Sequence, residues 1–145
     1  FDTDGIYCEV ISDGIHLHPA VVRMLYHTLG ADRMVLISDA ISATGLSDGR
    51  YTLAGLEVFV KDGQARLAGG NLAGSTVTLY EAMRRAVGFG IPLADAAKMA
   101  SATPAKALGL DAAVGSLEAG KDADILVLNE DLSIRHVFYK GEQIR

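Results

Sequence analysis

The first third of the chain switches between strand-like and helix-like apolar patterns. Ile6-Tyr7-Cys8-Glu9-Val10-Ile11 is rich in strand formers and runs into the turn Ser12-Asp13-Gly14-Ile15-His16-Leu17-His18-Pro19. Pro19 can occupy the first helical position. A helix over 19–29 would put Val21, Met24, Leu25 and Thr28 on one side, with Gly30 as its stop. Met34-Val35-Leu36-Ile37 is wholly apolar, the pattern of a strand buried on both faces of a parallel sheet. Strand, helix and strand predict a βαβ unit.

After Asp39 the pattern changes. Ser, Thr and Gly dominate through Ser47-Asp48-Gly49, and short strands follow at 51–53, 57–60 and 64–68, with Asp62-Gly63 as a hairpin turn. This predicts a β-flap at about 45–70. The glycine-rich stretch 69–75 is expected to be a loop leading into a helix on which Leu79, Met83 and Val87 recur one turn apart, with a capping box at Thr78-Leu79-Tyr80-Glu81. Pro92 opens a second helix to about Ala100, and Thr103-Pro104 a short third one ending at Gly109. Strands at 123–128 and 134–139, with a Lys140-Gly141 turn, form a β tail. Two or three strands are marginal without further partners, so the tail must cover something.

At 145 residues, half of them apolar, the chain can bury a core. A net charge of -5 and no run of Lys or Arg argue against nucleic acid as a partner. No apolar run approaches the roughly 20 residues that span a bilayer. The single Cys8 cannot form an internal disulfide, and its apolar strand predicts an inert buried thiol. A cytoplasmic setting without membrane attachment is expected. The start Phe1-Asp2-Thr3-Asp4-Gly5, without Met and directly before a strand, reads as a piece of something longer.

Both strand-end turns carry candidate chemistry. In parallel α/β folds, ligands and catalytic groups gather at the carboxyl ends of strands, which sets His16 and Asp39 on one rim. Asp39 can serve there in proton transfer, or it can cap a turn. His16 can donate to a substrate hydroxyl or phosphate, or it can satisfy a loop carbonyl. His16 and His18 share a side of an extended segment, so spacing alone also allows a two-histidine metal site. Amides exposed before the 79–87 helix would favour anions. His27 and His136 are expected as surface or packing histidines rather than ligands, the Arg84-Arg85 pair on a solvated helix face, and Lys121-Asp122-Ala123-Asp124 as charges punctuating a turn.

With these residues in view, the chain resembles the C-terminal half of the N-acetylglucosamine-6-phosphate deacetylases, a family of the amidohydrolase superfamily. The resemblance covers nearly all 145 residues: Asp13-Gly14-Ile15-His16, Ser38-Asp39-Ala40, the flap, Leu72-Ala73-Gly74-Ser75, Thr103-Pro104-Ala105, and Gly115-Ser116-Leu117-Glu118-Ala119-Gly120-Lys121-Asp122-Ala123-Asp124. The last motif is shared across the superfamily, and the others narrow the match.

The resemblance implies an α/β fold: residues 1–110 as part of a (β/α)8 TIM barrel with the inserted flap, and 111–145 as strands of a small β-sandwich. It implies deacetylation of N-acetylglucosamine 6-phosphate to glucosamine 6-phosphate and acetate by metal-activated water, with Asp39 as general base and then acid. Asp13, Gly14, Ile15 and His16, together with Leu72, Ala73 and Gly74, match substrate-contact positions, which sets aside the two-histidine metal site. The divalent metal, zinc or iron, is held in the family by a glutamate and two histidines of the other half, so no metal ligand is expected in this sequence and the chain is predicted inactive alone. A homo-oligomer is implied as well, with phosphate contacts made across the subunit interface. Two alternatives stay open: another amidohydrolase-superfamily hydrolase or deaminase, and a non-catalytic sugar-phosphate-binding fragment.

Overall fold

The computed structural model describes residue 3 and residues 5–145; Phe1, Asp2 and Asp4, which belong to the expected chain start, lie outside the described residues. Strand β1 (Cys8–Ile11), helix α1 (Pro19–Leu29) and strand β2 (Met34–Ile37) form the expected βαβ unit. The two strands pair in parallel, Cys8 opposite Met34 and Ile11 opposite Ile37. Both strands therefore end on the same side of the sheet, and the two strand-end turns leave it at that end.

Helix α1 begins where Pro19 predicts. His18 is its N-cap, with Nδ1 accepting from the Ala20 amide at 3.2 Å, and Gly30 ends it at φ 69°. Its buried face differs from the expected one. Val22 is fully buried, and Leu25 and Tyr26 pack beside it on the core, whereas Met24 is 57% exposed. The apolar stripe is rotated by one position toward Val22, which joins Met34, Leu36 and Met99 in the buried core.

Four strands then form an antiparallel sheet in chain order: β3 (Gly49–Leu53), β4 (Leu56–Lys61), β5 (Gln64–Leu67) and β6 (Leu72–Ser75). The Asp62-Gly63 hairpin lies where the sequence sets it, with both residues at positive φ between the Lys61–Gln64 pair. Ala54-Gly55 forms a similar turn between Leu53 and Leu56. Strand β6 corrects the expected loop. Glycine density in 69–75 suggests irregular chain, but Ala73 and Ser75 alternate inward, and the small Ala73 side chain packs with Val58, Val60 and Ala65. The glycine-rich turn is confined to Gly69 and Gly70.

Helices α2 (Leu79–Gly88), α3 (Leu93–Ala100) and α4 (Ala102–Ala107) follow. The capping box of α2 is present: Glu81 N–H donates to the Thr78 hydroxyl and Thr78 N–H to the Glu81 carboxylate. Ala82, Met83 and Ala86 form its buried face, and Leu79 is turned outward at 39% exposure. This face, Ile91, Ala96 and Met99 close over β2 and complete the main core. The tail is a three-stranded antiparallel sheet of β7 (Ile125–Leu128), β8 (Ile134–Tyr139) and β9 (Glu142–Gln143), turned at Lys140-Gly141. Cys8 is half-buried against the main core rather than fully enclosed.

Candidate active site

The turn after β1 is built around one carboxylate. Asp13 Oδ1 accepts the Ile15 and His16 amides, each at 2.9 Å, and Oδ2 lies 2.7 Å from His16 Nδ1. The Asp13 side chain is 2% exposed and that of His16 19%. Burial alone would push the Asp13 carboxyl up. The His16 amide, the His16 ring, the Ile15 amide and the charge of His16 together outweigh it and hold the group below its ordinary value. An ionised Asp13 selects the ring form that carries hydrogen on Nδ1, so Nε2 is left to present itself beyond the turn.

The turn is also fixed from outside. The buried Ser12 hydroxyl donates to the Ala82 carbonyl of α2 at 2.7 Å. Gly14, at φ 75°, lies under Phe89, whose ring would be 3.4 Å from a Cβ there. The Arg85 guanidinium donates to the Asp13 carbonyl. The expectation of a solvated Arg84-Arg85 pair is thus corrected for Arg85, while Arg84 lies over the Tyr80 ring at 5.8 Å. Arg85 was missed because its partner is a backbone carbonyl 72 positions away, and no local spacing signals such a contact.

Asp39 follows β2 with φ 49°, a left-handed conformation that Asp tolerates better than most residues, and its side chain is exposed. Its carbonyl accepts the Ser75 amide at 2.8 Å, and Ile41 N–H donates to the Ser75 carbonyl at 3.0 Å. These bonds tie the end of β6 to the exit of β2, with Ala40 bridged in parallel to Ser75. A Cβ on Gly74 would be 3.0 Å from the Asp39 carbonyl oxygen and 3.4 Å from Asp39 Oδ2. Asp39 lines an open cleft with Tyr7, Glu9, Ile37 and Ser38.

The structure therefore brings Asp39 directly against Gly74, with Leu72 and Ala73 on the same strand. Asp13, Gly14, Ile15 and His16 follow β1 at the same end of the parallel pair as Asp39 follows β2, because Ile11 is opposite Ile37. The larger cavity of the molecule lies elsewhere, between α2, α3, α4 and β7, with mostly apolar walls and none of these residues. The expected anion site before α2 is corrected: that helix end carries the Thr78–Glu81 cap, and the Glu81 carboxylate repels an anion there. His136 instead meets Gln143 at 3.0 Å, His27 stacks near Tyr26, and Lys121 is bound to Ser116 and Glu118 within its turn.

A sequence profile described as the amidohydrolase family matches residues 1–144. The chain belongs to the amidohydrolase family. Among its relatives are an N-acetylgalactosamine-6-phosphate deacetylase of Escherichia coli, 42% identical over 94% of this chain and 36% of that protein, and the N-acetylglucosamine-6-phosphate deacetylase of Vibrio furnissii, 40% identical over 95% of this chain and 35% of that protein. The structure of an aspartate-to-alanine mutant of the Mycobacterium smegmatis N-acetyl-D-glucosamine-6-phosphate deacetylase in complex with N-acetyl-D-glucosamine-6-phosphate superimposes with a TM-score of 0.89. It is 43% identical, with 97% of this chain and 38% of that one covered. The resemblance to these deacetylases read from the motifs is thus shown. The chain spans little more than a third of the length of these three proteins, and 81% of a shorter Escherichia coli relative.

Membership of the amidohydrolase family suggests a divalent metal. Among the described residues no group of three His, Cys, Asp or Glu side chains is placed to hold one. The described residues do not by themselves fit a metal.

Proposed function

We propose that this chain supplies the proton-transfer and part of the sugar-phosphate-binding side of a deacetylase in amino-sugar catabolism. The reaction converts N-acetylglucosamine 6-phosphate to glucosamine 6-phosphate and acetate. The observation that carries this reading is the exposed Asp39 carboxylate at a strand end, held against Gly74 and beside the His16 turn.

In this reading the Asp39 carboxylate takes a proton from the water that attacks the acetamide carbonyl, then delivers it to the departing amine nitrogen. His16, oriented through Nδ1 by Asp13, offers the Nε2 lone pair to a hydroxyl of the sugar, which donates to it. The Gly14 and Ile15 backbone and the Leu72–Gly74 strand line the same substrate. The lack of a side chain at Gly74 lets Ile41 and the Asp39 carbonyl pack directly against this backbone. The zinc or iron expected of the family would take its ligands from outside this sequence.

The βαβ unit, the four-stranded sheet and the tail sheet support residues 1–110 as part of a (β/α)8 barrel with a flap at about 45–70, and 111–145 as strands of a small β-sandwich. We assign the assembled enzyme to the cytoplasm as a homo-oligomer; no described helix is long and apolar enough to cross a membrane. The purified 145-residue chain should release no acetate from N-acetylglucosamine 6-phosphate with added zinc or iron. Metal-dependent turnover by the isolated chain would refute this.

The relatives are named for two epimeric sugars, so N-acetylgalactosamine 6-phosphate is a second substrate reading. Titrating the chain with glucosamine 6-phosphate and galactosamine 6-phosphate separates the two, and also separates both from a fragment that binds neither.

A further inference from the structure

Helix α2 touches both halves of the candidate site. Its capped start follows β6 by three residues, and β6 holds Gly74 against Asp39. Farther along, Ala82 and Arg85, and Phe89 just past the helix end, meet the Ser12–His16 turn. Positions 82, 85 and 89 fall on one helical face. A 10-residue helix is a stiff spacer about 15 Å long, so it sets how the two rims stand to each other.

Within this arrangement Arg85 has a distinct task. Asp13 spends its side chain on the two downstream amides and the His16 ring, so its carboxylate closes the turn. No described backbone N–H takes the Asp13 carbonyl, and the Arg85 guanidinium takes it instead. A charged donor makes a stronger bond to a carbonyl than a neutral one does. The peptide between Asp13 and Gly14 is thereby held by a donor from outside the turn.

We propose that Arg85 is a positioning residue for His16. It fixes the Asp13–Gly14 peptide, which fixes the Asp13 carboxylate, which in turn holds His16 with hydrogen on Nδ1 and Nε2 presented to the ligand. The effect on the ligand rests on the function proposed above; the effect on the ring does not.

The test is nuclear magnetic resonance of the 145-residue chain with 15N-labelled histidine. The wild type is expected to show His16 as the Nδ1–H form, with an Nδ1 proton protected from exchange. Arg85→Met keeps the aliphatic stem, removes the donor, and should lose that proton signal. Arg85→Lys should recover it, because an ammonium can reach the same carbonyl. Arg84→Met, which removes a guanidinium that lies over Tyr80 and near Asp131 rather than at the His16 turn, should leave it unchanged. An unaltered His16 signature in Arg85→Met, or equal loss in Arg85→Lys and Arg84→Met, would overturn the proposal. If Arg85→Met does not fold, Arg85→Gln, which loses the charge and the reach of the guanidinium, takes its place: the Nδ1 proton should exchange faster than in Arg84→Met, and equal exchange in the two would overturn the proposal. A parallel titration with glucosamine 6-phosphate reads the functional assignment: no shift at His16 on addition removes that assignment and leaves the Arg85 result standing.

Discussion

Gly74 and Asp39 are in contact through a space that only hydrogen can fill. A Cβ at position 74 would lie 2.6 Å from Ile41 Cγ2 and 3.0 Å from the Asp39 carbonyl oxygen, and Gly74 has φ 82°. The approach is closed by the hydrogen bond from Ser75 N–H to the same carbonyl. A side chain at position 74 would thus push on Ile41 and on the Asp39 backbone.

Gly74→Ala should therefore act twice. The positive φ and the clash with backbone together should cost about 1–3 kcal/mol of stability, read by chemical denaturation. Because the clash pushes on Asp39, the amide resonances of Asp39, Ala40 and Ile41 should shift more than those of β3. An alanine variant of wild-type stability would contradict this geometry.

Asp13 predicts an acid-sensitive term in stability. Its folded carboxyl is held below the ordinary value of 3.8, so folding favours the ionised form. The contribution is complete above the unfolded value and is lost as pH falls through the lower folded one. The melting temperature of the wild type should exceed that of Asp13→Asn near neutral pH, and the gap should narrow once pH drops below about 4. Hydrogen bonds to a charged group are worth about 1.5–3 kcal/mol each, so the gap should be several degrees. A gap that stays constant down to about pH 2 would show that ionised Asp13 does not hold the turn.

The cap of α2 matters because that helix spans the site. Thr78→Ala removes the hydroxyl that accepts from the Glu81 amide at 3.2 Å and should cost about 1 kcal/mol. Thr78→Ser should retain nearly all of it. Equal stabilities for the two variants would show that the cap contributes nothing.

Much of this was legible in the sequence, for local reasons. Pro19 and Gly30 bound α1, Thr78 and Glu81 open α2, and Asp62-Gly63 turns a hairpin, because each acts on its own backbone within a few residues. The wholly apolar Met34–Ile37 segment signalled a buried parallel strand, and from it the rim position of Asp39 followed. What escaped depends on distant chain. Strand β6 looks like a loop until Val58, Val60 and Ala65 supply a surface for Ala73. The rotation of α1 is settled by the core it meets, and Arg85 acts on a carbonyl that no periodicity connects to it. The pairing of Asp39 with Gly74 is likewise a product of sheet geometry, although both residues stood out singly.

The central claim is that Asp39 moves the proton in amide hydrolysis, and one measurement tests it most directly. A chimera would carry this chain in place of the matching 38% of the Mycobacterium smegmatis deacetylase, and acetate release from N-acetylglucosamine 6-phosphate would be followed for the chimera and for its Asp39→Asn variant. Loss of the proton-transfer group should lower kcat by about 10²–10⁴-fold while leaving the melting temperature within a degree or two, because the Asp39 side chain is exposed. An Asp39→Asn chimera that hydrolyses the substrate as fast as its parent would contradict the account.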